Sequence, residues 1–112
     1  MLGIVGSRKY NDYNTIETFI ATLNLTITGI VSGGATGVDS LAEQYAKKHN
    51  LPLTVFKANW SAEGKAAGPN RNTKIVNECT ALVAFPDADS VGTYDTIRKA
   101  EKKGIPVFVY KV

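Results

Sequence analysis

Residues 30–49 read IVSGGATGVDSLAEQYAKKH. A short apolar run passes into glycines, and the glycines pass into a stretch with Val38, Leu41, Ala42, Tyr45 and Ala46 at helical spacing. Asp39 and Glu43 lie early in that stretch and Lys47, Lys48 and His49 late, an order that suits the helix dipole. Asn50 reads as its C-terminal breaker, and His49 as an exposed residue at the helix end that carries no metal. This is the strand–glycine–helix unit of a parallel α/β sheet. Glycines 33, 34 and 37 let backbone approach a ligand with no Cβ in the way, and the helix that follows offers free N–H groups to an anion. A tight turn would need glycine as well.

Outward from this unit the same alternation recurs. Strands are predicted at 2–6, 28–33, 53–57, 81–85 and 105–110, and helices at 14–25, 37–50, 69–79 and 94–104. Asn14 is the expected N-cap of the first helix, Pro69 falls near the first position of the third, and Gly104 closes the fourth. Residues 58–68, ANWSAEGKAAG, read as a loop of unusual length, and residues 86–93, PDADSVGT, as a second glycine-containing loop. Five apolar strands alternating with four helices predict a three-layer Rossmann-like α/β domain. It is a five-stranded parallel sheet with helices on both faces, formed by residues 1–112 as a single domain.

In open parallel sheets ligands bind beyond the carboxyl ends of the strands. The chemically unusual residues gather at those ends here: Gly6, Ser7 and Arg8 after the first strand, and Ser32, Gly33, Gly34, Ala35, Thr36 and Gly37 after the second. The long loop with Trp60 follows the third strand, and Ser90, Gly92 and Thr93 open the last helix after the fourth. The opposite ends carry no comparable chemistry. Two glycine-bearing helix starts at one rim predict a phosphate-bearing ligand. Arg8 and Arg71 are candidates for bidentate phosphate contact, although surface ion pairs use arginine equally. Asp39 is either a helix-dipole partner or an acceptor for a ribose hydroxyl. Trp60 stacks on a base or packs the loop to the core. Asn70 and Asn72 flank Arg71 and are candidates to read a base or ribose.

Composition narrows the classes. The chain has 112 residues, 44% hydrophobic and 21% charged, with a net charge of +3, too small an excess to require nucleic acid. One cysteine, Cys79, excludes an intramolecular disulfide; its place beside an apolar strand predicts a buried small hydrophobe, and a reducing cytoplasm suits it. The opening MLGIVGSRKY lacks the basic and apolar regions of a signal peptide, and no run of 18 apolar residues predicts a membrane span. With one histidine and one cysteine, no zinc site is expected, and no complete Walker motif is present.

The blocks GSRKYNDY, VSGGATGVDSLAEQYA, GKAAGPNRNTKIV, ADSVGTYDTIRKA and GIPVFVY resemble, in order and over nearly the whole chain, those of the small YspA-like, YpsA-related branch of the SLOG superfamily. That superfamily includes the LOG nucleoside-monophosphate phosphoribohydrolases, the DNA-processing protein A family, and sensors of NAD-derived or ADP-ribose-like nucleotides. The resemblance implies a Rossmann-like fold and binding of a nucleotide or nucleotide derivative. Members of this branch are frequent in bacterial and phage genomes, and small SLOG proteins are commonly homo-oligomers. Gly33, Gly34 and Gly37 match the glycine-rich loop of the LOG enzymes, and Arg71 is similar to their arginine before the fourth strand. Of their P-G-G-x-G-T-x-x-E signature, Gly92 and Thr93 are kept. The position of the catalytic glutamate falls on Thr96, with Asp95 one residue away and about 100° around the helix.

Three functions follow as expectations. The first is binding or sensing of a nucleoside phosphate or ADP-ribose-like ligand without turnover, with no further cofactor. The second is nucleotide hydrolysis of the LOG type, for which Asp39 and Asp95 are the catalytic candidates and Asp87 and Asp89 the other acids near the rim. The third is single-stranded DNA binding along Arg8, Lys9, Tyr10, Lys57, Trp60, Lys65, Arg71 and Lys74.

Overall fold

The computed structural model describes residues 1–112 throughout. Strand β1 (Leu2–Gly6) lies at the centre of a five-stranded sheet, between β2 (Ile30–Ser32) and β4 (Ala81–Phe85). Strands β3 (Leu53–Val55) and β5 (Val107–Val109) form the edges, in the order β3-β2-β1-β4-β5 with every pairing parallel. The chain winds outward from β1 to β3, returns to β4 beside β1, and winds outward again to β5. The direction of winding therefore reverses between β1 and β4, and loops from the two halves part there to leave a crevice.

Helices cover both faces because the strand residues are apolar on both. α1 (Tyr13–Thr22) and α2 (Val38–Lys48) pack Ile16, Ile20, Val38, Leu41 and Ala42 against Ile4, Ile30, Val83 and Phe85. On the other face, α4 (Ala67–Glu78) and α5 (Val91–Lys103) pack Ile75, Val76, Ile97 and Ala100 against Val5, Val31, Leu82 and Ala84. Neighbours such as Ile4 and Val5 serve opposite faces, as the strand period requires. Each fully buried Ile or Leu contributes about 1.5–3 kcal/mol, so the two layers are the main source of stability. Cys79 is buried in the second layer, as expected.

The helix starts differ from expectation. α1 begins at Tyr13, capped by Asp12 rather than Asn14: the Asp12 carboxylate accepts from the Thr15 amide at 3.2 Å and the Thr15 hydroxyl at 2.9 Å. The expected long loop 58–68 is largely helical. Asn59 caps the short helix α3 (Trp60–Glu63), a 3-10 turn spans Gly64–Ala66, and α4 is under way by Ala67. Pro69 fits its first turn, where the missing N–H has no partner to lose. α5 begins at Val91, three residues before the expected start, because Asp87 folds the preceding turn back on itself. β2, β3 and β5 are shorter than predicted. The helix ends agree better. Asn50 takes a φ of +52° just beyond α2, and Gly104 takes +86° to close α5, with the Ile105 amide bonding back to Ala100.

Candidate functional site

A cavity of about 320 Å³ opens in the crevice between β1 and β4. Its lining comes from both halves of the fold: Gly6 ends β1 and Arg8 and Lys9 follow it, Ala35 and Asp39 belong to the glycine-loop unit, and Arg71 and Asn72 come from α4. Asp87, Asp89, Ser90, Gly92 and Thr93 complete it from the turn after β4 and the start of α5, over a floor that includes Val5, Ile75 and Thr96.

Gly37 is the hinge of the glycine loop. Its φ is +70°, and a Cβ there would run into the backbone of Ser7 and Arg8. The next amide, that of Val38, donates to the Ser7 carbonyl at 3.0 Å, and the Thr36 hydroxyl donates to the Arg8 carbonyl at 3.3 Å. Gly33 is bare for a different reason: a Cβ would press on the Arg71 guanidinium and lie 2.9 Å from an Asp39 oxygen. Gly34 packs beside Val55 and Lys57. The three glycines thus let the loop lie close to its neighbours, and none of them lines the cavity. Ser32 is wholly buried and donates to the Asp39 carbonyl at 3.4 Å. The Ser7 hydroxyl donates to Asp87, so both serines are engaged inside the protein.

Asp39 is 6% exposed and accepts the Ala35 amide on Oδ2 at 3.1 Å. Its own carboxylate therefore occupies a place in the glycine loop where an external anion could sit. Burial pushes its pKa up to about 6, against the pull of the Ala35 N–H and of the Arg71 and Arg8 charges. Arg71 is half-buried, its Nε donating to Asn72 Oδ1 at 2.8 Å and one terminal nitrogen to the Gly33 carbonyl at 2.9 Å. It makes no ion pair, and neither does Arg8. Burial draws the Arg71 guanidinium below its ordinary value, but arginine remains charged at any physiological pH.

The start of α5 is the other open element. Ser90 stands at the N-cap but makes no cap bond, because its hydroxyl is bound to Asp87 at 3.0 Å. Asp87 gathers the Ser7 hydroxyl, the Asp89 amide and Ser90, and those bonds hold its carboxyl below the usual range. The amides of Gly92 and Thr93 donate to no acceptor within the chain, leaving an uncapped helix dipole at the cavity.

Three candidates lie elsewhere, among them Asn70, which is exposed and donates to Glu63 at 2.6 Å. The Trp60 ring covers Gly68 and is 54% exposed, outside the cavity, so a base stacked on it would lie beyond the lining. Asp95 is also outside, bonded to Lys99 at 2.7 Å and to Asn72 at 3.1 Å; burial raises its pKa, but these bonds outweigh it and hold the carboxyl low. Thr96 takes part in the floor, with its hydroxyl donating to the Gly92 carbonyl at 3.0 Å. Val5, Ile75 and Val91 also line the cavity, although in the sequence apolar residues at a strand end or helix face read as core.

A family model described as YAcAr, the YspA, cpYpsA-related SLOG family, matches residues 3–62, more than half of the chain. The Gene 61 protein of Mycobacterium phage D29 is 36% identical over 113 residues, covering 93% of this chain and 90% of that protein. The X-ray structure of DNA processing protein A (DprA) from Streptococcus pneumoniae matches with a TM-score of 0.78 and 21% identity, over 96% of this chain and 49% of that one. This chain spans about half of that protein's length, and at such identity the likeness is one of fold. No helix is long and apolar enough to cross a membrane. The family match and the phage relative together place the chain in the YspA, cpYpsA-related SLOG family.

Proposed function

We propose that this protein binds a nucleotide or nucleotide derivative in the crevice between β1 and β4, with a phosphate against the first turn of α5. The observation that carries the reading is Arg71: a half-buried guanidinium without an ion pair, lining the same cavity as the unbonded Gly92 and Thr93 amides. Asp39 lies close enough for the two charges to act on each other but makes no ion pair with Arg71, so the guanidinium keeps capacity for an anion bound directly against it. Arg8 adds a second unpaired cation at the mouth. Asp39 then accepts a sugar hydroxyl, which places the glycoside rather than the phosphate beside the glycine loop. A volume of about 320 Å³ is at the small end for ligand cavities and suits one nucleoside phosphate unit.

Hydrolysis is the second reading, and one observation favours Asp39 over Asp95 for it. Asp39 lines the cavity with a carboxyl raised to about 6, as a general acid or base near neutrality needs, whereas Asp95 is held by Lys99 and Asn72. Thermal melting with AMP, ADP-ribose, NAD and a short single-stranded DNA at two salt concentrations tests the proposal. A rise with a nucleoside phosphate that disappears in Arg71→Ala supports it. A rise only with DNA that collapses at high salt moves the function to single-strand binding. No rise with any of the four overturns the nucleotide reading for these ligands.

A further inference from the structure

Asn72 is 4% exposed and bonds through both ends of its side-chain amide. Its Oδ1 accepts Nε of Arg71 at 2.8 Å, and its Nδ2 donates to the Gly92 carbonyl and to Asp95 Oδ2, each at 3.1 Å. The amide orientation is fixed by these partners, because a guanidinium can only donate and a carbonyl or carboxylate can only accept. Gly92 and Thr93 share one planar peptide, so holding the Gly92 carbonyl also sets the direction of the Thr93 N–H. The Thr96 hydroxyl grips the same carbonyl at 3.0 Å. Asp95 is steadied in turn by Lys99, which reaches across to the Pro69 carbonyl at 2.8 Å and so ties the start of α4 to α5.

We infer that Asn72 is the positioning residue of the anion site: one buried amide sets the Arg71 guanidinium and the Thr93 N–H at a fixed separation. The inference rests on the reading of that site given above. Asn72 acts through Arg71 and through the Gly92–Thr93 peptide, and it touches the phosphate in neither case. Preorganised donors of this kind bind without having to be ordered first, which is where a positioning residue exerts its effect. Asp95 belongs to the same device as an anchor for the second Nδ2 hydrogen, which gives this acid a structural use outside the cavity.

The test uses the full chain labelled with ¹⁵N, with AMP as the probe. The Arg71 Nε–H signal, assigned by its loss in Arg71→Ala, is expected to exchange slowly in the wild type. In Asn72→Ala it exchanges at least about tenfold faster. The double substitution Asn72→Asp with Asp95→Asn keeps an acceptor for Arg71 and a donor–acceptor pair between the two positions and so restores slow exchange, but its carboxylate cannot donate to the Gly92 carbonyl, and AMP binding stays weakened. In calorimetric titrations Asn72→Ala weakens AMP about tenfold, but the same change made in Arg71→Ala weakens it less than about threefold, because the two act as one unit. A rapidly exchanging Nε–H in the wild type, or additive effects on AMP, overturns the inference. If the wild type takes up no AMP, the nucleotide reading fails, while the exchange of the Arg71 signal still decides the role of Asn72. If Asn72→Ala does not fold, the wild type and the double substitution decide it.

Discussion

Helices α1 and α5 both begin at the carboxyl edge of the sheet, and the chain finishes the two starts in opposite ways. At α1, Asp12 turns its carboxylate onto the Thr15 amide and hydroxyl, and the hollow beside it is lined by Asp12, Asn14, Thr15, Thr18, Phe19, Thr22 and Tyr110, with no cation. At α5, Ser90 occupies the cap position but gives its hydroxyl to Asp87, and the neighbouring cavity carries Arg8, Lys9 and Arg71. A capped start contributes about 1 kcal/mol of stability. The chain takes that contribution where no cation lines the neighbouring hollow and forgoes it where three do. On the function proposed above, the difference separates a helix end built for stability from one left open to a ligand.

The glycine loop stands between these cases. It has the composition of an anion loop, but Asp39 already accepts its Ala35 amide, and its glycines are bare because the Ser7–Arg8 backbone and Arg71 lie against them. The largest effect is accordingly expected there. Gly37→Ala forces a side chain into a left-handed conformation against the Ser7 carbonyl and is predicted to remove at least about 3 kcal/mol of stability, read by urea unfolding. A loss below about 1 kcal/mol would mean the loop is free to move and open to a ligand after all.

Asp39 gives the next effect. Its pKa is raised in the folded state to about 6, so the folded protein holds this proton more tightly than the unfolded chain does. The resulting stabilisation is fully present below the unfolded value near 4, and it is lost as pH rises through about 6. Asp39→Asn, which keeps an oxygen for the Ala35 amide, is predicted to remove this pH dependence and to gain on the order of 2–3 kcal/mol relative to wild type between pH 4 and pH 8. Parallel stability–pH curves for the two proteins would show that the carboxyl titrates normally.

The comparison between helix starts is sharpened by two smaller changes. Asp12→Ala removes the α1 cap and is predicted to lower stability by about 1 kcal/mol without altering nucleotide affinity. Gly92→Ala works the other way. A Cβ there meets only Asn72 Nδ2 at 4.0 Å, so alanine fits, and stability should rise by about 0.5 kcal/mol through helix propensity. If the first turn of α5 is the phosphate site, the same methyl group weakens ligand binding. A substitution that stabilises the fold and weakens the ligand would mark Gly92 as kept for function, and unchanged affinity would remove it from the site.

The fold was legible because buried parallel strands are uninterrupted apolar runs, such as ALVAF at 81–85, and the runs alternate with helical spacing. Helix starts were less legible. Asp12 and Asn14 are both competent caps, and spacing does not say which one the incoming chain presents to the helix. The helical character of 60–67 was hidden because Gly64 and Gly68 read as loop residues, whereas Gly68 is a helical position covered by Trp60. At the site, the rule that ligands lie beyond strand ends pointed to Arg8, Asp39, Arg71, Gly92 and Thr93, and the fold brings these five around one cavity. The turning of Asp39 into the glycine loop and the bond between Arg71 and Asn72 are local, but spacing does not say which partner such side chains take; the bonds from Asn72 to Gly92 and Asp95 were not legible because they join residues brought together only where α4 packs on α5.

The most direct measurement is a ¹H–¹⁵N titration of the protein with AMP, following each backbone amide. The largest shifts are predicted at Gly92 and Thr93, with smaller ones at Ala35 and none at Thr15 in the capped turn of α1. Largest shifts across Gly33–Gly37, with Gly92 and Thr93 unmoved, would contradict the assignment of the phosphate to the open start of α5 and return it to the glycine loop.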